Sequence, residues 1–296
     1  MIARIALPER LNFSVSQLVR DVHPQLRSVM IPRKTNGHMS LLVGQTVIQM
    51  AAPAKPVTVE NLDRVLQFSS RWSIDRKAWE SHSAQLVFAI SGEDEPAQQA
   101  KILTAVVAAA LKQSPDAIGV FWKSAGQIIP RDLFCQIAGQ TGHMNRLWIG
   151  VHTGHAESGT IGRTQGMAAL GKQEVETIKA SEPPQKVASR LIELVRFLVN
   201  NDREIQDGQW LERSNQQNIR LRIFHQSAFG SPGPVIRMVY GAVAPDPSTP
   251  VNTGREPMKQ LSRDSERKKI WRRPAFGIAV AAVVLAGIAL TVAVSL

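Results

Sequence analysis

The chain runs to 296 residues with 35 Lys and Arg against 24 Asp and Glu, and 44% of it is hydrophobic. That excludes a disordered chain and leaves room for one large or two small folded domains. A single cysteine, Cys135, excludes an internal disulfide framework and zinc sites built on cysteine pairs, so any metal would have to take His and carboxylates.

From the N-terminus onward, β-rich runs alternate with helical patterns. Arg4, Glu9, Arg10 and Arg20 interrupt every apolar stretch of the first 25 residues, so a secretory signal is not expected. Strands are predicted at Ala3–Leu7, at Ser40–Val43 paired with Thr46–Met50 across Gly44-Gln45, and at Gln85–Ile90. A helix is expected over Val57–Ser69. Another over Pro96–Lys112 places Ala100, Leu103, Val107, Ala110 and Leu111 on one face, with Glu93-Asp94-Glu95 as charge at its start. Next come a strand at Ile118–Trp122, an amphipathic helix at Arg131–Ala138 and strands at Leu147–His152 and Glu174–Ile178. From Pro184 a helix repeats Val187, Leu191, Leu194, Val195 and Leu198 inward while Lys186, Arg190, Glu193 and Arg196 hold the solvent side. Strands at Ile219–Phe224 and Val235–Tyr240 end the body. The fold class predicted is α+β, a mixed β-sheet layered with helices over residues 1–240.

Residues 241–273 read as a flexible basic linker, rich in Pro, Ser, Thr and charge. Pro274–Leu296 carries no charged residue, and as a helix it would extend about 33 Å, enough for a hydrocarbon core of about 30 Å. A C-terminal transmembrane helix is therefore expected over 274–296. Arg267, Lys268, Lys269, Arg272 and Arg273 precede it with Trp271 at interfacial depth, which predicts a tail-anchored, single-pass protein with its body facing the cytoplasm. Arg255–Arg273 holds eight basic residues against three acidic ones, leaving 27 against 21 for the rest of the chain. Much of the positive charge thus belongs to the membrane flank, and a nucleic-acid partner is not expected.

Several short motifs stand in a recognisable order: MAAPAKPV at Met50–Val57, Ser81-His82-Ser83-Ala84-Gln85-Leu86-Val87-Phe88, Ala117-Ile118-Gly119-Val120-Phe121-Trp122 and Leu147-Trp148-Ile149. Thr164-Gln165-Gly166-Met167, Gly171-Lys172-Gln173-Glu174-Val175-Glu176 and Asp207-Gly208 follow. In these residues the chain is similar to a bacterial family, domain of unknown function 4261, over roughly residues 8–240. The resemblance brings no activity, cofactor or site residue with it, and the hydrophobic tail is not part of the family pattern.

Candidate chemistry is sparse. Gly166-Met-Ala-Ala-Leu-Gly171-Lys172 has the spacing of a phosphate-binding loop but ends in Gln173, without the hydroxyl that holds magnesium. A turn packing Met167 and Leu170 and closed by Gly171 is the simpler reading. His152 and His155 with Glu157 could ligate a metal, yet on a strand end the two imidazoles face different sides. His82 could act as a general base, although no G-x-S-x-G elbow accompanies it. Glu174 and Glu176 would share one strand face and could form an acid–base pair. Cys135 reads as a small hydrophobe, and Trp72, Trp79, Trp122, Trp148, Trp210 and Trp271 read mostly as core. No catalytic, cofactor-binding or metal residue is therefore assigned. The expected function is a membrane-tethered interaction or scaffold module without catalysis, its partners the lipid bilayer and a protein. The alternative is a hydrolase-like enzyme with a pocket near His82 and Glu174/Glu176, and a third reading is a chaperone-like or immunity-type binder of another bacterial protein.

Overall fold

The computed structural model describes residues 1–241 other than 10–12, 27–29, 36–37, 70–72, 141, 202–203 and 214–217. The predicted membrane helix over 274–296, all of the predicted linker but Gly241, Trp72 and Trp271 lie outside the described residues. Among the described residues no helix is long and apolar enough to cross a membrane.

The chain is α+β, with two sheets. The first takes β1 (Ile2–Leu7), β2 (Met30–Thr35), β3 (His38–Val43), β4 (Thr46–Ala51), β5 (Ala84–Gly92), β6 (Gly119–Trp122) and β7 (Gln127–Pro130) in the order β2-β3-β4-β5-β1-β6-β7, antiparallel throughout. The two-residue period sends Ala3, Ile5 and Leu7 of β1 into the main core. Ala6 joins a second cluster with Val57, Val65, Trp79, Phe121 and Ile128 on the opposite face.

α1 (Val15–Leu26) and α4 (Pro96–Lys112) pack together, and α4 also reaches β1 and β5. All five residues predicted for the inner face of α4 are completely buried. On the second-cluster side lie α2 (Leu62–Phe68) and α3 (Arg76–Ser81), while α5 (Arg131–Ala138) packs against α4 and the β6–β7 hairpin.

The second sheet is mixed. It takes β8 (Gly150–Ala156), β9 (Gly159–Gln165), β10 (Glu174–Ala180), β11 (Trp210–Arg213), β12 (Asn218–Phe224) and β13 (Val235–Tyr240) in the order β11-β12-β13-β10-β9-β8. Only β10 and β13 run parallel, because α7 (Pro184–Asn200) and the β11–β12 hairpin carry the chain across between them. α7 lays Val187, Leu191, Leu194, Val195 and Leu198 on the sheet, each burial stabilising by about 1.5–3 kcal/mol, so a charge at Leu191 would break the layer. Gly162 of β9 makes room for this helix: a Cβ there would sit 2.9 Å from Val187 and 3.1 Å from Leu191.

Two predicted elements differ from the structure. Leu147–Ile149 is not strand: a single helical turn, α6 (Asn145–Trp148), precedes β8, and Gln127 Nε2 donates to the carbonyls of Arg146 and Leu147 at 3.0 Å each. An apolar run buried on all sides carries no period to separate helix from strand. The helix expected over Val57–Ser69 begins only at Leu62, where Asn61 Oδ1 accepts from Arg64 N at 3.0 Å; the β-branched Val57-Thr58-Val59 stays outside it. The sheets share one core. Trp148 Nε1 donates to Thr104 Oγ1 of α4 at 2.8 Å, and Gly166, with φ +113°, lies where a Cβ would fall 2.3 Å from the Trp148 carbonyl oxygen.

Candidate functional site

Strand register assembles what the sequence keeps apart. His152 of β8, Arg163 of β9, Glu176 of β10, Arg237 of β13 and Arg222 of β12 are successive cross-strand partners, a polar ladder on the face of the second sheet opposite α7. The segment from His225 to Pro234 folds over it. Ser227 Oγ donates to Glu176 at 2.7 Å, Ala228 N at 3.3 Å, and Arg163 donates to the Phe229 carbonyl at 3.2 Å.

Glu176 is 1% exposed and forms the centre of this ladder. Arg237 donates to its Oε1 from Nε at 2.8 Å and from Nη2 at 2.5 Å, and the guanidinium lies over the Phe224 ring at 3.9 Å. A carboxylate this buried persists only because both of its oxygens are matched by donors. Glu174, two residues earlier, is equally committed. Its Oε2 accepts from Thr164 Oγ1 at 2.7 Å, and its Oε1 from Gly166 N at 2.8 Å and Ala168 N at 3.1 Å. The backbone donors of the phosphate-loop-like stretch thus already hold a protein carboxylate. That stretch is a single 3-10 turn, Ala168–Leu170, with Met167 and Leu170 buried and Gly171 left-handed as its cap.

Glu182 is the third buried carboxylate of this region. It takes a two-pronged ion pair from Arg190, with Nη2 to Oε1 at 2.8 Å and Nε to Oε2, and Tyr240 donates its hydroxyl at 3.0 Å. Burial raises its pKa, but hydrogen bonds from Arg190 and Tyr240 and the charges of Arg190 and Lys186 outweigh it, leaving the carboxyl below its ordinary range. Glu182 and Tyr240 line a cleft of about 660 Å³ beside Gly241.

The remaining sequence candidates are scattered. His82 sits in the first half, its Nδ1 donating to the Trp79 carbonyl and its Nε2 accepting from Val57 N at 2.6 Å, with the ring 5.1 Å from that of Trp79. It ties the 52–57 segment to α3, and it does not line the cleft that Glu174 borders. His152 is buried while His155 is exposed at the β8–β9 hairpin, and among the described residues no group of three His, Cys, Asp or Glu could hold a metal. Cys135 is half-buried on α5, and burial pushes its thiol up, away from nucleophile behaviour. Asp94 accepts from Thr46 Oγ1 at the start of α4. Asp207 Oδ1 accepts from Ile223 N at 2.8 Å and Arg222 Nε at 2.9 Å, so Asp207-Gly208 is a turn pinned to β12.

A second cleft, of about 480 Å³, opens between α2 and the His225–Pro234 segment. Arg64 of α2, Ser124 of the turn after β6, and Arg163, Glu174, Phe229 and Pro232 line it. α2 is held in place by Val65, buried in the second cluster, and by Ser69 Oγ, which accepts from Ile128 N of β7 at 2.9 Å. Arg64 is thereby carried outward over the cleft. Sequence reasoning missed Arg64, Ser124, Arg163 and Arg237, since their only signal is position across a sheet not yet assembled.

The family model described as domain of unknown function 4261 (DUF4261) matches residues 163–239. Over this stretch the chain is similar to that family. No curated protein and no solved structure matches the chain. The DUF4261 match begins on Arg163 and contains Glu174, Glu176, Glu182, Arg222 and Arg237, so the three buried carboxylates and all of the ladder but His152 fall within it. The motifs before residue 163 lie outside the matched stretch. Arg64 and Ser124 lie outside it too, and the smaller cleft is therefore built jointly by DUF4261 and the preceding sheet.

Proposed function

We propose that the protein is a non-catalytic interaction module, held at a membrane by residues 274–296 and presenting its folded body to the cytoplasm. The observation that carries the reading is the commitment of Glu174, Glu176 and His82: each has its acceptor or donor atoms taken by groups of its own chain. An acid–base catalyst needs capacity left for the proton it moves, and these three spend theirs on structure. Tethering is supported by the uncharged run Pro274–Leu296 and its flank of Lys268, Lys269, Arg272 and Arg273. The linker between 241 and 273 would let the body reach a membrane-bound partner without rigid docking.

The test is fractionation and cross-linking in cells carrying the full chain. The chain is expected in the alkali-resistant membrane pellet, and Val284→Arg with Ile288→Arg is expected to release it. Cross-linking followed by mass spectrometry should then recover a specific protein partner whose yield falls with that release. Full solubility of the unaltered chain would end the tether reading, and a turnover abolished by Glu174→Gln in a folded protein would end the non-catalytic one. The hydrolase reading keeps one observation in its favour, that Glu174 borders a cleft.

A further inference from the structure

The smaller cleft brings together two guanidiniums and a hydroxyl from three different elements. Arg64 projects from α2, Arg163 stands on β9, and Ser124 lies in the turn after β6. The Ser124 Oγ is shielded from solvent and has no hydrogen-bond partner among the described residues. Glu174 is on the same wall, but Thr164, Gly166 and Ala168 already donate to both of its oxygens. The charge of the lining, two arginines against one satisfied carboxylate, is net positive. Phe229 and Pro232 add an apolar edge, and the Arg163 guanidinium lies 5.5 Å from the Phe229 ring centroid.

We propose that this cleft binds a phosphate dianion, free or as a small monoester, between Arg64 and Arg163, with Ser124 donating a third hydrogen bond. The inference goes beyond the scaffold reading and holds with or without a protein partner. Guanidiniums suit the task because their planar forks match phosphate oxygens two at a time. A doubly charged oxyanion meets the charge of both arginines, whereas a single carboxylate would balance only one. The cleft volume lies within the range typical of small-molecule sites. Burial first, and then the nearby charge of Arg64, lower the Arg163 pKa despite Glu174 and Glu176, and an anion between the two guanidiniums would act in the opposite direction.

The experiment is calorimetric titration of the full chain in neutral detergent, at constant ionic strength, with inorganic phosphate, phenyl phosphate and benzoate. Both phosphates should bind saturably, phenyl phosphate the more tightly if the group enters as an ester against Phe229, and benzoate should bind at least tenfold more weakly. Arg64→Gln and Ser124→Ala should each weaken phosphate binding by about tenfold, the loss of one charge-assisted hydrogen bond. Thermal unfolding should meanwhile be unchanged in Ser124→Ala, since that hydroxyl has no hydrogen-bond partner among the described residues. No saturable binding of either phosphate below about 10 mM, a weak affinity on the usual scale, would overturn the proposal. Equal affinity for benzoate, or unchanged binding in both variants, would overturn it as well.

Discussion

The two sheets solve the problem of buried polarity differently. In the first half the buried polar side chains are neutral: Thr46, Ser69, His82, Gln85, Thr104, Ser114 and Gln127. In the second half three carboxylates are buried within nine residues of sequence, Glu174, Glu176 and Glu182. Neutral groups need one partner and forgive imperfect geometry. Buried ions need full pairing, and desolvation consumes most of what the pairing returns. The second sheet therefore gains definition of register and of the overlying segment from its carboxylates more than it gains stability. All three carboxylates lie in the stretch that the DUF4261 model matches.

The sharpest way to break this contrast is Glu176→Ala. It would leave Arg237, only 14% exposed at its side chain, against Phe224 without its carboxylate, and would orphan the Ser227 and Ala228 donors. A loss of about 3–5 kcal/mol is expected, read by chemical denaturation. Replacing both partners, Glu176→Leu with Arg237→Met, should recover much of that loss. If the double variant is no better than the single one, the ladder is not an isolated ion pair and the account of the second sheet fails.

Gly166→Ala tests the seam between the halves and should cost about 3 kcal/mol, because φ +113° and the Trp148 carbonyl both oppose a Cβ. In the sequence Gly166 stands in a phosphate-loop spacing and in one of the family-like motifs, and neither gives its structural role. Its reason for being glycine lies in a backbone approach from eighteen residues earlier, which no local pattern carries. The same holds for Gly162 of β9, which leaves room for Val187 and Leu191 of α7. By contrast the buried stripes of α4 and α7 were legible residue by residue, since a 3.6-residue period records which face is covered. The α+β class was legible for the same reason. The carboxylates could be picked out but not their satisfaction, because donors such as Arg237, Thr164 and Gly166 N become neighbours only through pairing across the sheet.

In the first half, His82→Ala should cost about 2 kcal/mol by leaving Val57 N and the Trp79 carbonyl buried without their partner. None of the buried polar side chains named above for this half is a carboxylate. The second half should behave otherwise. The Glu182 carboxyl is lowered in the fold, so its contribution is complete above its ordinary value, near 4.5, and disappears as pH falls through the lower folded value. Unfolding midpoints measured between neutral pH and about pH 3 should therefore fall more steeply for the native chain than for Glu182→Gln, which has already lost the ion pair with Arg190. Parallel curves would remove Glu182 from the acid response.

The smallest effect should come from Asp207, whose pKa is lowered first by the Ile223 N–H and then by Arg222. Both partners of that ion pair are about half exposed, so water and salt screen what the carboxylate gains. Asp207→Asn keeps an oxygen for Ile223 N while discarding the charge. Its unfolding midpoint should lie slightly below that of the native chain at low salt and merge with it near 1 M salt, where the screening length falls to about 3 Å. Glu176→Ala should keep its deficit across the same range, because a pair shielded from solvent is shielded from ions too. A salt series on these two variants thus separates an exposed carboxylate that trims a turn from a buried one that holds the overlying segment in place.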